Sequence, residues 1–344
     1  MAGERPSGSS VTVDPELPAF LVRAGLAREG AAQAWSTLGG GVSSDIWRVD
    51  LEDRIVCVKR ALAKLRVAAD WRAPVSRNLY EWRWFETVRA ILPEAVPTPL
   101  VADHDLGVFA MSYLDEATHP VWKSQLLRGE VDVAVARTVG ERLGRIHAAT
   151  ALRPDIAERF PTDDLFHALR PEPYLLATAE RHPAVAGALR ALVERTEATH
   201  LTLVHGDISP KNILVGPAGP VFLDAETAWY GDPAFDLAFC LNHLLLKRLV
   251  APGAGRRLAE SFDVLAQAYL ARVAWESPVV LEARAASLLP GLLLARVDGK
   301  SPVEYLTADG HRNTVRNAAL PLLARTPTTL AEVAGAWTEE LTRR

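Results

Sequence analysis

From Val204 to Asp236 the chain reads V-H-G-D-I-S-P-K-N-I-L-V-G-P-A-G-P-V-F-L-D-A-E-T-A-W-Y-G-D-P-A-F-D. Three of its side chains have the types and spacing for chemistry: Asp207, Asn212 five residues on, and Asp224 twelve residues beyond that. An acid, an amide and a second acid brought to one place are what metal-assisted phosphoryl transfer needs. Asp207 would accept the proton of an attacking hydroxyl, while Asn212 and Asp224 would hold Mg²⁺ against the phosphates of ATP.

The elements that must position them are written in the same stretch. Ile213-Leu214-Val215 directly follows Asn212, and Val221-Phe222-Leu223 leads directly into Asp224. Gly216-Pro217-Ala218-Gly219-Pro220 between them is a turn signal, so the pattern predicts an antiparallel hairpin with Asn212 and Asp224 at the same end. Leu201 to Val204 delivers the Asp207 loop. Further on, Asp232 is placed to cap a helix that has Pro233 at its first position.

The order H-G-D-x-x-x-x-N followed by D-x-E resembles the catalytic core of the aminoglycoside phosphotransferase superfamily, small-molecule kinases built on the protein-kinase fold. Protein kinases typically carry Arg after the histidine and D-F-G at the metal aspartate. Gly206 and Asp224-Ala225-Glu226 stand here instead, which favours the small-molecule branch. The resemblance implies an α+β, two-lobed protein-kinase-like fold with the nucleotide in the cleft. The small β-rich N-lobe has one main helix and the larger C-lobe is mostly helical. It also implies that Asp236, in G-D-P-x-x-D-L-A, braces the catalytic loop through backbone amides and its histidine. Asp236 and His205 are thus expected to support the loop, and Glu226 to be either a second-metal ligand or a substrate contact.

Upstream, Pro15 to Gly30 has helical spacing (Leu17, Phe20, Leu21, Ala24). Gly39-Gly40-Gly41 with Val42 and Ser43 joins two strands, and in the kinase fold such a hairpin lies over the nucleotide phosphates; Gly40, Gly41 and Ser43 are the expected contacts. Arg54 to Lys59 alternates as a third strand whose terminal lysine matches the phosphate-binding lysine of kinases. A helix from about Val75 to Leu92 offers Glu81 and Glu86 as its carboxylate partner, and Glu81 is favoured, early in the helix. Gly107 to Leu114 is an apolar strand ending in a hinge at Ser112 to Asp115. Adenine is expected against backbone groups of Ser112 to Leu114, with Met111 behind it.

This N-terminal half is also similar to 5-methylthioribose kinase, through Val58-Lys59-Arg60-Ala61-Leu62, a connector with Trp71 and Pro74, the glutamate helix, and Val96-Pro97. That likeness makes Trp71 and Arg72 substrate-pocket residues, the alternative for Trp71 being packing on the lobe surface. It extends to Gly291 to Gly299, where Arg296 stands for one of a substrate-binding arginine pair and Ala295 replaces the other. Asp298 and Lys300 are further pocket candidates beside it. Methylthioribose kinases typically replace the loop asparagine and place proline after the metal aspartate, whereas this chain has Asn212 and Ala225. Aminoglycosides, as polycations, want an acidic pocket, and the closing Arg343-Arg344 does not supply one.

Val131 to Ala149 carries one apolar helical face and makes His147 a packed core or helix-end histidine, not a catalytic one. Pro154 to Pro173 reads as irregular, His182 to Thr199 as helical, and Ala254 to Arg344 as helices broken at Pro278 and at 298–302. The apolar run Leu237 to Leu249 is interrupted by Asn242, His243, Lys247 and Arg248, which predicts a buried helix, not a membrane span. A net charge of −4 argues against nucleic acid or an anionic membrane as partner. Two distant cysteines, Cys57 and Cys240, exclude a disulfide framework or zinc site. Met1 to Ser10 has no apolar stretch, so a loose tail is expected over 1–15, with lobes at 16–114 and 115–344. The sequence thus predicts a cytoplasmic enzyme that uses ATP and Mg²⁺ to phosphorylate a hydroxyl of a small metabolite or antibiotic. The alternatives are a methylthioribose-type sugar kinase, a catalytically silent nucleotide-binding regulator, and a kinase acting on protein side chains.

Overall fold

The computed structural model describes residues 13–39, 44–62 and 74–343. The chain divides into two compact units. One holds the described residues up to Trp82 together with Thr98–Leu114, and the other holds Arg83–Pro97 and Asp115 onward. Residues 83–97, assigned to the N-terminal lobe from sequence, therefore pack with the second unit. Trp84, fully buried, explains this, because its ring meets the edges of His205 and Phe222 there.

The first unit is an antiparallel sheet in the order β1-β2-β3-β5-β4. Its elements are α1 (Glu16–Arg23), β1 (Ala34–Thr37), β2 (Ser44–Asp50), β3 (Ile55–Ala61), the start of α2 (Arg77–Ile91), β4 (Pro99–Asp103) and β5 (Val108–Ser112). Because successive strand side chains alternate faces, Val56 and Val58 of β3 join Val108 and Ala110 of β5 on one face. There they pack with Leu17, Phe20 and Leu21 of α1. Cys57 and Lys59 point the other way, registered against Met111 and Phe109. The helix α1 stops at Arg23, short of the Gly30 expected from sequence. Gly25 takes φ +70, and its amide closes on Val22 O, so the glycine nearer the apolar run ends the helix.

The second unit runs α3 (Trp122–Leu127), α4 (Val133–Thr150), α5 (Pro154–Arg159), α6 (Asp163–Leu169), α7 (Ala177–Arg181), α8 (Ala186–Glu197), β6 (Thr202–Val204), β7 (Ile213–Gly216), β8 (Gly219–Phe222), β9 (Trp229–Gly231), α9 (Pro233–Val250), α10 (Gly255–Leu270), α11 (Pro278–Asp298), α12 (Asp309–Arg325) and α13 (Leu330–Thr342). Residues 154–173, read from sequence as irregular, form α5 and α6 and lead into a π-turn at Glu172–Leu176. Prolines at first-turn positions begin two of these elements instead of breaking them. The helix α9 is buried along nearly its whole length, with Asp232 as N-cap accepting from Ala234 N at 3.0 Å and Pro233 in the first turn. Among the described residues, α11 is the one helix long and apolar enough to cross a membrane by composition, and it is mostly buried.

Candidate active site

In the second unit, β6 pairs antiparallel with β9 and releases the chain at His205. Gly206 then takes φ +77, and a Cβ there would lie 2.6 Å from Thr227 O, so glycine is required twice over. Asp236, in the first turn of α9, accepts from the amides of His205 (2.7 Å) and Gly206 (2.9 Å). The imidazole that meets Asp236 belongs to His147 of α4, at 3.2 Å, not to His205 as the family resemblance implied. His147 is itself fixed by Tyr269 Oη at 2.7 Å.

The two nitrogens of His205 have assigned roles. Nδ1 accepts from the Asp207 amide at 3.1 Å, so Nε2 carries the proton and donates to Leu223 O at 3.0 Å. Burial outweighs the nearby carboxylates and holds this imidazole below its usual pKa, so it is neutral. His205 thereby fastens the Asp207 segment to the strand end that presents Asp224.

Asp207 is almost wholly buried, and one of its two oxygens is saturated. Oδ2 accepts from Asn212 Nδ2 at 2.8 Å and lies 3.1 Å from both Arg170 Nη2 and Lys211 Nζ. Oδ1 has no such partner among the described residues. Burial alone would raise the pKa of Asp207, but Lys211 and Arg170 together outweigh it, and the carboxyl stays below its usual range. Arg170 also donates from Nε to Gly206 O at 2.5 Å. Sequence reading missed Arg170, which comes from the end of α6, and Lys211, which lies inside the motif at i+4 from Asp207.

The hairpin takes the expected register, Ile213 opposite Phe222 and Leu214 opposite Val221. Arg142 of α4 secures it by donating to the carbonyls of Pro220, Ala218 and Glu94, the last at 3.0 Å. Leu223 N donates to Asn212 O at 2.9 Å, which sets the two ends of the ribbon side by side. Asn212 Nδ2 faces two acceptors, Asp207 O at 3.1 Å and Asp207 Oδ2, so its amide oxygen is left for another partner. Asp224 sits at φ +67, a left-handed conformation uncommon in non-glycine residues, though asparagine and aspartate adopt it more readily than most. It and Glu226 are half-buried and act electrostatically on Arg170. Among the described residues no three His, Cys, Asp or Glu side chains form a metal cage. An amide oxygen with one or two carboxylates still fits Mg²⁺, which takes few protein oxygens and completes its shell with water and phosphate.

In the first unit, Lys59 Nζ lies 2.9 Å from Glu81 Oε1 and 2.7 Å from Oε2, both side chains being almost fully buried. Glu86 instead meets Arg159 at the surface of the second unit. Cys57, on the same face of β3 as Lys59, is buried and its thiol is pushed up to about 12 by burial; Cys240 likewise packs as a core residue. Met111 is buried on β5. The amide of Ser112 cannot serve adenine, because it donates to Thr98 O at 2.8 Å. The backbone groups of Tyr113 and Leu114 make no hydrogen bond among the described residues. Gly40, Gly41, Ser43, Trp71 and Arg72 lie outside the described residues.

Of the late pocket candidates, Arg296 is buried and donates to Tyr174 Oη at 2.9 Å and Ser301 O at 2.6 Å. Asp298 is held by Arg316 and His182, and Lys300 by Glu172. Both are spent on structural ion pairs.

Residues 34–274 match the model of the phosphotransferase enzyme family. The chain belongs to that family. It is an ATP-dependent small-molecule kinase, a phosphotransferase with an alcohol group as acceptor. This phosphotransferase is similar to the methylthioribose kinase of Pectobacterium atrosepticum, with 28% identity over 278 residues covering 68% of each chain. Two solved structures share its protein-kinase-like fold. One is a choline/ethanolamine kinase family protein from Mesorhizobium loti, with TM-score 0.54 and 16% identity over 94% of this chain and 98% of that one. The other is an amicoumacin kinase in complex with AMP-PNP and Ca²⁺, with TM-score 0.51 and 13% identity over 92% and 96%.

Proposed function

We propose that Asp207 is the catalytic carboxylate of this kinase, orienting the acceptor hydroxyl and taking its proton through Oδ1. The observation that carries the reading is the asymmetry of Asp207. Asn212 donates to Oδ2, Arg170 and Lys211 stand 3.1 Å from the same oxygen and keep the group ionised, and Oδ1 has no partner among the described residues. A base needs a charge, a fixed direction and a free lone pair, and this carboxylate has all three.

Asn212 and Asp224 would hold Mg²⁺ through oxygen, with Glu226 either a second-metal ligand or a contact to the acceptor. The cation would neutralise charge building on the transferred phosphoryl group. Lys59, braced by Glu81, would steady the α- and β-phosphates, with Gly40, Gly41 and Ser43 contributing backbone donors. Adenine would take the backbone of Tyr113 and Leu114 beside Met111. His205 and Asp236 would support the loop without touching the reacting atoms. The reading includes a cytoplasmic location.

The kinship with methylthioribose kinase places that sugar on the acceptor panel, although Asn212 and Ala225 depart from that enzyme's usual pattern. The test is ADP release from Mg²⁺–ATP with sugars, amino alcohols, hydroxy acids and aminoglycosides in turn. Acceptor-dependent release that is lost in Asp207→Asn is the expected result. Nucleotide binding without release for any acceptor would favour a silent regulator and overturn the proposal.

A further inference from the structure

One side of α9 leads away from the catalytic loop along the positions Asp236, Phe239, His243 and Lys247. Residues three and four apart share a helix face, so these four form a single row. Asp236 holds the amides of His205 and Gly206, and Phe239 lies under the guanidinium of Arg170, 5.7 Å from its ring centre. His243 meets Tyr305 Oη at 3.5 Å, and Lys247 Nζ stands 4.8 Å over the Tyr305 ring. Tyr174 closes the row from the side. It lies against Phe239, with Arg170 over its ring at 5.7 Å and Arg296 at 5.4 Å. Packed side chains thus link Arg170, which lies against Asp207, to Lys247 within the second unit.

The charges along it do not balance. Arg170 and Lys211 are paired with Asp207, and Lys123 is paired with Glu304. Arg296 and Lys247 make no ion pair with a carboxylate among the described residues, although only 8% and 1% of their surfaces are exposed; Glu304, already paired with Lys123, acts on both from a distance. Arg296 Nε is buried with no hydrogen-bond partner among the described residues. His243 is kept neutral, by burial first and then by Lys247, Arg296, Lys211 and Lys123. Burial, and after it Lys123, lowers Lys247 to about 7. Unpaired buried cations are costly, and an unmatched donor inside such a group is uncommon. An incoming anion relieves both.

The geometry points to an anion-binding subsite formed by Arg296, Lys247 and His243, which takes a carboxylate or phosphate group carried by the phosphate acceptor. The inference rests on the kinase reading for the word acceptor, but anion binding itself does not. It sets this chain apart from kinases of polycationic antibiotics, whose acceptors such a cluster would repel.

The test uses the full chain and two equilibrium probes, inorganic phosphate and succinate, followed by calorimetry and thermal melting. The variants are Lys247→Met, Arg296→Gln and, as control for the nucleotide phosphate site, Lys59→Met. Either probe should bind wild type and Lys59→Met alike and should lose on the order of 10–100-fold in affinity in Lys247→Met and Arg296→Gln. Lys247→Met without ligand should melt no lower than wild type, since it removes an uncompensated charge, so failure to fold does not confuse the result. The probe that binds tighter identifies the group as phosphate or carboxylate. Binding that is absent from wild type, or that is lost in Lys59→Met and kept in Lys247→Met, would overturn the subsite. In the ADP-release assay, Lys247→Met should raise KM for acidic acceptors and leave neutral ones unchanged. Anion binding with no turnover of any acceptor would leave the subsite standing and overturn the assignment of its ligand to the phosphate acceptor.

Discussion

Arg170 holds Asp207 from outside the motif that contains it. Its Nη2 lies 3.1 Å from Asp207 Oδ2, and its Nε donates to the carbonyl of Gly206, the residue before. One guanidinium therefore fixes both the side-chain direction of the carboxylate and the backbone that carries it, a use of the planar fork that lysine cannot copy.

Arg170→Met should lower turnover by about 10–100-fold, the worth of a charge-assisted hydrogen bond expressed in the transition state. It should also move the acid limb of kcat/KM. Asp207 is depressed below 3.8 in the folded state by Lys211 and Arg170 against burial, so its contribution to stability is present above 3.8 and lost as pH falls through the folded pKa. Without Arg170 that pKa rises, and both the rate and the stability should fail at higher pH than in wild type. An acid limb that does not move would show that Arg170 does not set the charge of Asp207.

The Lys59–Glu81 pair invites a double-mutant cycle. Lys59→Met and Glu81→Leu should each cost about 3–5 kcal/mol in urea unfolding, because each strands a buried charge. The double variant should cost much less than the sum, because neither charge is then left alone. Additive losses would mean that the two side chains do not depend on each other.

Gly206→Ala should destabilise by about 1–3 kcal/mol from crowding, with a further cost of about 1 kcal/mol from the left-handed backbone. Thr227→Ala in the same chain should restore little, since the nearer clash is with the Thr227 carbonyl. A full rescue would place the strain in the hydroxyl instead.

Much of this site was legible in the sequence because it is local. Asn212, Asp224 and the hairpin between them are set by alternation and a turn, and the observed register matches. The choice of Glu81 over Glu86 followed from helix position, and the structure pairs Glu81 with Lys59. What the sequence hid comes from far along the chain. Arg170 lies 37 residues before Asp207 in a stretch read as irregular, and its role depends on how α6 meets the loop. His147 could be recognised as packed but not as the partner of Asp236, 89 residues away. The spent amide of Ser112 was equally hidden, since it depends on how Thr98 approaches β5. The sequence places Lys247 in a buried helix, but that it makes no ion pair with a carboxylate among the described residues depends on how Glu304 pairs with Lys123.

Asp224→Asn keeps a residue that tolerates φ +67 and removes one charge. The Mg²⁺ concentration that supports half-maximal turnover should rise by about tenfold or more, with the melting temperature close to wild type. An unchanged Mg²⁺ requirement would remove Asp224 from the metal site.

The most direct test is single-turnover phosphoryl transfer in Asp207→Asn at saturating Mg²⁺–ATP, with whichever acceptor responds. The amide is isosteric and keeps one oxygen for Asn212, Arg170 and Lys211, while turning a donor towards the hydroxyl. Transfer should fall by about 10²–10⁴-fold, the usual contribution of a positioned base, with AMP-PNP affinity little changed. Transfer at close to the wild-type rate would contradict the assignment of Asp207 as the group that takes the proton.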